Sequence, residues 1–216
     1  LSGQGVLGFS PSIKNLLPDI QAFKPSVLLV VPRVLEKVYN AASSKAGGGI
    51  KGRMFAWSAK QARTYSLASE KTFGPGPFKK IRHGIADALV LKKIRSVLGP
   101  NLRYIVSGGA PLATDLAHFY AGMGITLIQG YGLSETTGPI SVQHIGKNPV
   151  GSVGLPLPGN FITIAKDGEI LVRGQSVMPG YYHLPEQTAE VMPDGTWFHT
   201  GDLGSIDRKG QLTITG

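Results

Sequence analysis

The sequence predicts an α/β fold: part of a layered parallel α/β sheet domain over residues 1–145, then a small antiparallel, β-barrel-like subdomain over 146–216. Three observations carry this expectation. Short β-branched apolar runs alternate with helix-length segments before residue 145. Gly and Pro crowd the chain after residue 146. Beyond them, two stretches of alternating character each fold back on a turn at Asp167-Gly168 and at Arg208-Lys209-Gly210.

Each element follows from local chemistry. Ser26 to Val31 (SVLLVV) suits a buried parallel strand, which Pro32 ends. A helix should follow, because Val34, Leu35, Val38, Tyr39 and Ala42 share one face at helical spacing. Gly47-Gly48-Gly49 and Gly74-Pro75-Gly76-Pro77 are breaks, and Lys51 to Ser69 between them forms a basic helix. Ile85, Leu89, Ile94 and Leu98 predict one more helix, closed by Gly99-Pro100. Leu102 to Val106 then reads as a strand, Ser107 to Pro111 as a tight loop, Thr114 to about Met123 as a helix, and Ile125 to Gln129 as a second strand. Ligands of parallel sheets bind at the carboxyl ends of the strands. The loops 107–112 and 130–138 are therefore expected to face one crevice. After Gly146 a Gly/Pro-punctuated connector leads to a hairpin of Phe161–Ala165 and Glu169–Arg173, and a second hairpin spans Gly204–Thr215.

Composition narrows the function. With 42% hydrophobic and 16% charged residues in 216, the chain can build a real core and is not of the disordered class. The absence of cysteine excludes disulfides, thiolate metal sites and a cysteine nucleophile. The five histidines lie too far apart for a metal-binding helix, and no apolar run is long enough to span a bilayer. The net charge of +9 is uneven: residues 1–105 hold 17 Lys/Arg against 4 Asp/Glu, and the rest hold 5 against 9. An anionic lipid surface or a coenzyme's phosphates would suit the basic stretch between Lys45 and Arg103. Solvated helix faces are the plainer and favoured explanation. Nucleic acid is not expected, since no recognition motif or aromatic interleaving accompanies the charge.

The chemistry concentrates in Gln129-Gly130-Tyr131-Gly132-Leu133-Ser134-Glu135-Thr136-Thr137-Gly138. Gly130 and Gly132 let a ligand approach the main chain. Tyr131 offers a flat face to a purine. Ser134 and Thr136 carry hydroxyls suited to phosphate oxygens, and Glu135 is the hard oxygen ligand that magnesium prefers. A glycine-rich turn whose Ser and Glu cap a following helix would look the same in isolation. Two further stretches argue against coincidence. Ser107-Gly108-Gly109-Ala110-Pro111-Leu112 ends the neighbouring strand with room for a planar group. In Thr200-Gly201-Asp202, one carboxylate can accept both hydroxyls of a ribose.

These stretches, in this order, resemble the adenylate-forming enzymes: acyl-CoA synthetases, luciferases and peptide-synthetase adenylation domains. Ser107–Leu112 is similar to the family's adenine-side wall. Tyr131 to Thr136 is similar to its signature, with Ser134 where Thr is usual. Gly168-Glu169, Val172-Arg173-Gly174, Gly180-Tyr181-Tyr182 and Thr200-Gly201-Asp202 resemble the motifs that follow. Val31 to Tyr39 and the basic helical insertion over 40–100 look like the long-chain fatty acyl-CoA synthetases.

The resemblance implies a fatty acid–CoA ligase using ATP, Mg2+ and coenzyme A. A carboxylate attacks the α-phosphorus of ATP, pyrophosphate leaves, and the coenzyme A thiol displaces AMP. It implies Ser134 and Glu135 as the catalytic pair, with Glu135 on the metal. Gly108, Gly109, Ala110, Pro111, Gln129, Gly130, Tyr131, Gly132, Ser134 and Asp202 would hold the nucleotide. The acyl tail should run under 107–112 and 130–133 into an apolar tunnel. The expected partners are fatty acid and nucleotide, in the cytoplasm or peripherally on an anionic membrane, with an oligomer open. The family's phosphate loop and its C-terminal domain are not matched here, so this piece is expected to be nearly or fully inactive alone. A non-catalytic nucleotide- or acyl-binding module, and a fatty acyl-AMP ligase with another acceptor, are the alternatives.

Overall fold

Residues 5–12, 14–146 and 149–216 are described in a computed structural model of the chain. The described residues form seven α-helices and nine strands in the order α1 (Leu16–Phe23), β1 (Val27–Val30), α2 (Pro32–Ala46), α3 (Gly49–Ser69), α4 (Pro77–Ala86), a π-helical turn (Asp87–Leu91), α5 (Lys92–Leu98), β2 (Tyr104–Ser107), α6 (Thr114–Gly122), β3 (Thr126–Leu133), a 3₁₀ turn (Ser134–Thr136), β4 (Gly138–Val142), β5 (Ser152–Pro156), β6 (Asn160–Ile164), β7 (Glu169–Gly174), α7 (Pro185–Val191), β8 (Phe198–Ile206) and β9 (Leu212–Ile214). These form two compact units, residues 1–105 with 118–126, and residues 106–117 with 127–216.

The first unit is helical around a short strand pair. Pro32 opens α2 at a position where its missing N–H costs nothing, and Gly47 closes it in a positive-φ conformation that only glycine adopts freely. Val34, Leu35 and Val38 bury the predicted face of α2. Phe55, Ala59 and Ala62 of α3 and Phe119, Tyr120 and Met123 complete this core. The Tyr120 hydroxyl donates to the Leu35 carbonyl at 2.8 Å, and a Cβ on Gly122 would stand 2.1 Å from the Ala62 carbonyl oxygen. That glycine is therefore what lets the two backbones meet. β2 lies beside β1, and the Arg103 amide donates to the Ser26 carbonyl at 2.9 Å. The Thr126 amide likewise donates to the Arg103 carbonyl at 3.2 Å. In each case the start of one strand meets the start of the next, the parallel arrangement expected of a strand–helix–strand unit.

Two expectations for this unit are corrected. The 26–31 strand is not buried: Leu29 is 77% exposed, with Val27 and Val31 also exposed, because β1 stands at the end of the strand order. The helix over 85–98 exists, but Ile85 and Leu89 face outward while Ala86 and Leu91 are buried. The buried pair is five residues apart, the repeat of the π turn, and a period of 3.6 cannot anticipate that inserted residue.

In the second unit the strands follow the order β2-β3-β4-β5-β9-β8-β7-β6, antiparallel from β3 onward. Both predicted hairpins form, with Phe161 opposite Arg173 and Ile206 opposite Leu212, and with Gly168 and Gly210 at positive φ in the turns. Ile140, Ile170, Val172 and Leu212 make the core, against which Tyr131, Ile162 and Ile214 pack. The 146–160 stretch, read as a connector, contains β5, which pairs with both β4 and β9. Glycines and prolines masked it: Gly154 sits at φ +91° where a Cβ would strike Val142 at 2.1 Å. The 130–138 stretch is likewise not a loop but the end of β3, a 3₁₀ turn and the start of β4.

Candidate active site

All the candidate nucleotide-site residues, from Gly108 to Asp202, lie in the second unit. β2 ends at Ser107, whose hydroxyl is buried and has no hydrogen-bond partner. Gly108 follows, and a Cβ there would be 3.4 Å from the Gly130 carbonyl oxygen, so the two strand ends lie side by side. Leu112 is buried and anchors the far end of the loop, while Gly109, Ala110 and Pro111 are exposed. Gln129 is held on the opposite flank. Its amide donates to Gln143 Oε1 and its carbonyl accepts the Gln143 amide, both at 2.9 Å. Gln143 also donates to the Pro149 and Ser152 carbonyls, which ties β3, β4 and β5 together.

The pairing of β3 with β4 shifts register between Tyr131 and Gly132. A Cβ on Gly132 would lie 2.0 Å from the Gly138 carbonyl oxygen, so the close approach at this bulge requires glycine. Tyr131 packs its ring on the Ile140–Ile170 core and donates its hydroxyl to Asp202 Oδ2 at 2.6 Å. Burial first, and the bond to Asp202 second, push its phenol well above the usual tyrosine range. Asp202 is half-buried, and its Oδ2 is the oxygen that Tyr131 engages.

The 3₁₀ turn presents Ser134 to solvent and leaves Glu135 half-buried. No helix follows for these residues to cap, since Gly138 begins β4; the helix-capping explanation of the motif is excluded. Thr136 is the internal member. Its buried hydroxyl accepts the Leu133 amide at 2.9 Å and donates to the Gly138 carbonyl at 2.8 Å, closing the turn. Tyr181 donates its hydroxyl to Glu135 Oε1 at 3.0 Å, and this bond is the main cause of its raised pKa. The Met178 amide donates to the Glu135 carbonyl at 2.7 Å.

The Thr200-Gly201-Asp202 segment is part of β8 rather than a free turn, with Gly201 at φ +75°, a conformation glycine adopts freely. Glu169 clamps it: Oε1 accepts the Gly201 amide at 2.8 Å, and Oε2 accepts His199 Nδ1–H at 2.7 Å. Thr200 donates to the Ile170 carbonyl at 2.8 Å. Glu169 and Tyr181 were visible in the sequence only as members of motifs. Nothing local signals that Glu169 holds the Asp202 segment or that Tyr181 holds Glu135, because the partners are 32 and 46 residues away.

The donor set decides what the site could hold. Exposed Ser134 and the half-buried carboxylates of Glu135 and Asp202 offer only hard oxygens, the chemistry of phosphates, sugar hydroxyls and magnesium. No group of three or more His, Cys, Asp or Glu among the described residues could hold a metal alone. Glu135 therefore fits a magnesium ion that takes most of its ligands from a nucleotide's phosphates. Two surface hollows of about 540 and 530 Å³ are lined by residues between Lys24 and Tyr104 and between Pro179 and Met192, and neither lining includes a residue of 107–112 or 130–133.

A family model described as AMP-binding enzyme matches residues 3–182. The chain belongs to this family. AMP-binding relatives include the long-chain-fatty-acid–CoA ligase FadD15 of Mycobacterium bovis, 50% identical over 97% of this chain and 35% of that protein. The long chain acyl-CoA synthetase 3 of Arabidopsis thaliana is 35% identical over 94% of this chain and 32% of its own length. The chain thus spans about a third of the length of the AMP-binding relatives it matches. Among solved structures, the O-succinylbenzoate coenzyme A synthetase of Bacillus subtilis in complex with ATP and magnesium ion is similar over 94% of this chain and 34% of that one, with a TM-score of 0.59 at 21% identity. That likeness establishes the AMP-binding family's mixed α/β fold for this chain. No helix of the described residues is long and apolar enough to cross a membrane.

Proposed function

We propose that this chain forms the adenylate-binding part of a long-chain fatty acid–CoA ligase. The observation that carries the reading is the Tyr131–Asp202 bond on the glycine bulge. It holds a flat aromatic group and a ribose-type carboxylate acceptor next to Ser134 and Glu135. Membership in the AMP-binding family and the long-chain ligases among its relatives supply the acid and the acceptor.

In this reading Tyr131 and the Gly108–Pro111 backbone bracket the adenine, Asp202 accepts the ribose hydroxyls, and Ser134 donates to the phosphate. Magnesium, when bound at Glu135, neutralises phosphate charge. Tyr181 orients Glu135 by occupying one carboxylate oxygen. The fatty carboxylate then displaces pyrophosphate at the α-phosphorus, and the coenzyme A thiol displaces AMP. The protein's contribution is alignment and electrostatic stabilisation more than covalent chemistry.

Calorimetric titration with non-hydrolysable acyl-adenylate mimics of several chain lengths tests this. Affinity that rises with tail length, and falls in Tyr131→Ala and Asp202→Ala, supports it. A folded protein that binds short and long mimics equally, or binds them unchanged in both variants, overturns the assignment.

A further inference from the structure

Strand β8 carries more residues than β7 where it passes Asp202. Leu171 stands opposite His199 and Glu169 opposite Leu203, so Ile170 alone faces Thr200, Gly201 and Asp202. Such a bulge takes amides out of the ladder. Side chains replace the missing partners here. Thr200 Oγ1 accepts the Asp202 amide at 3.2 Å and donates to the Ile170 carbonyl at 2.8 Å. Glu169 Oε1 accepts the Gly201 amide at 2.8 Å. The backbone that aims the Asp202 carboxylate at Tyr131 is therefore held by a hydroxyl and a carboxylate.

A glutamate side chain is rich in rotamers, and one bond to an amide leaves its carboxylate free to swing into water. His199 removes that freedom by donating Nδ1–H to Glu169 Oε2 at 2.7 Å. The two side chains are 34% and 19% exposed, so packing alone does not fix them. Ile170, Val172 and Phe198 are buried in the core, and strand alternation puts Glu169 and His199 on the opposite face of the sheet. A carboxylate only accepts, so the bond requires a proton on Nδ1, which either charge state of the ring can supply. We infer that His199 is a positioning residue for nucleotide recognition. Its Nδ1–H fixes the Glu169 carboxylate, which fixes the Gly201 amide and with it the direction of Asp202. This rests on the reading of Asp202 as the ribose acceptor, and extends it to a residue on the far face of the sheet.

Nitrogen NMR of the purified wild-type protein should show a proton held on His199 Nδ1, and a bare Nδ1 overturns the inference. His199→Leu keeps the bulk and loses the donor. It should weaken calorimetric binding of a non-hydrolysable acyl-adenylate mimic about fivefold. His199→Asn carries an N–H as many bonds from Cβ as Nδ1 is, and should restore affinity to within about twofold of wild type. In Glu169→Ala, which lacks the carboxylate already, adding His199→Leu should change affinity by less than about twofold. Exchange of the Gly201 amide should quicken in His199→Leu and slow again in His199→Asn, with the rest of the core equally protected. A leucine variant that binds as well as wild type, or an asparagine variant no better than leucine, overturns the inference. So does an equal loss with and without Glu169, because His199 would then act by another route. Failure of the wild type to bind any mimic would instead sink the nucleotide reading. The Nδ1 proton and Gly201 exchange need no ligand, and they tell that failure from this one.

Discussion

Replacing Tyr131 by phenylalanine removes one hydroxyl and keeps the ring against Ile140 and Ile170. The lost bond, 2.6 Å to Asp202 Oδ2, has a carboxylate acceptor. Such bonds contribute about 1.5–3 kcal/mol when buried, and because Asp202 and Tyr131 are only partly buried, water can replace part of the loss. The expected destabilisation is about 1–2 kcal/mol, measured by urea unfolding. Crossing Tyr131→Phe with Asp202→Asn should give a coupling energy of about 1 kcal/mol. The pH dependence is a second readout. Tyr131 has its folded pKa raised above the unfolded value of about 10, so its contribution is complete below that pH and is lost as pH climbs past it. Tyr131→Phe should flatten that alkaline decline. Acyl-adenylate mimics should bind only a few-fold more weakly to Tyr131→Phe, because the ring persists, while Asp202→Ala should lose about tenfold or more. A coupling energy near zero, with an unchanged alkaline limb, would refute the view that this pair organises the site.

Other perturbations separate the remaining parts. Glu169→Ala frees both His199 and the Gly201 amide and should weaken adenylate binding about tenfold in titration calorimetry, while Glu169→Gln, which keeps an acceptor for Gly201, retains most of it. Gly132→Ala forces a Cβ against the Gly138 backbone and should cost about 3 kcal/mol or more in denaturant unfolding. Asp87 is held below its ordinary pKa first by its hydrogen bond to Arg95, so its contribution is present above about pH 4 and lost as pH falls through the lowered value. With both side chains about a third exposed, Asp87→Asn should cost only about 1 kcal/mol at neutral pH and little in acid, followed by thermal unfolding.

The amino-acid sequence by itself determined the α/β class, both hairpins, the α2 face and the family, because each rests on short-range information. Turn glycines, a proline at a helix start, apolar periodicity and contiguous motifs are all written within a few residues. It also named Tyr131, Glu135 and Asp202 as candidates for a nucleotide site. Only the tertiary structure decided how they are joined. The Tyr131–Asp202, Tyr181–Glu135 and Glu169–Gly201 bonds span 71, 46 and 32 residues. Strand β5 was hidden because its Gly154 serves a close approach to Val142 that only pairing creates. The outward turn of Ile85 and Leu89 depends on one extra residue in a π turn, and the exposure of Leu29 on β1 lying at a sheet edge. Periodicity records which residues can share a face. Which face meets the core, and which side chains meet across it, is set by packing between segments far apart in the chain.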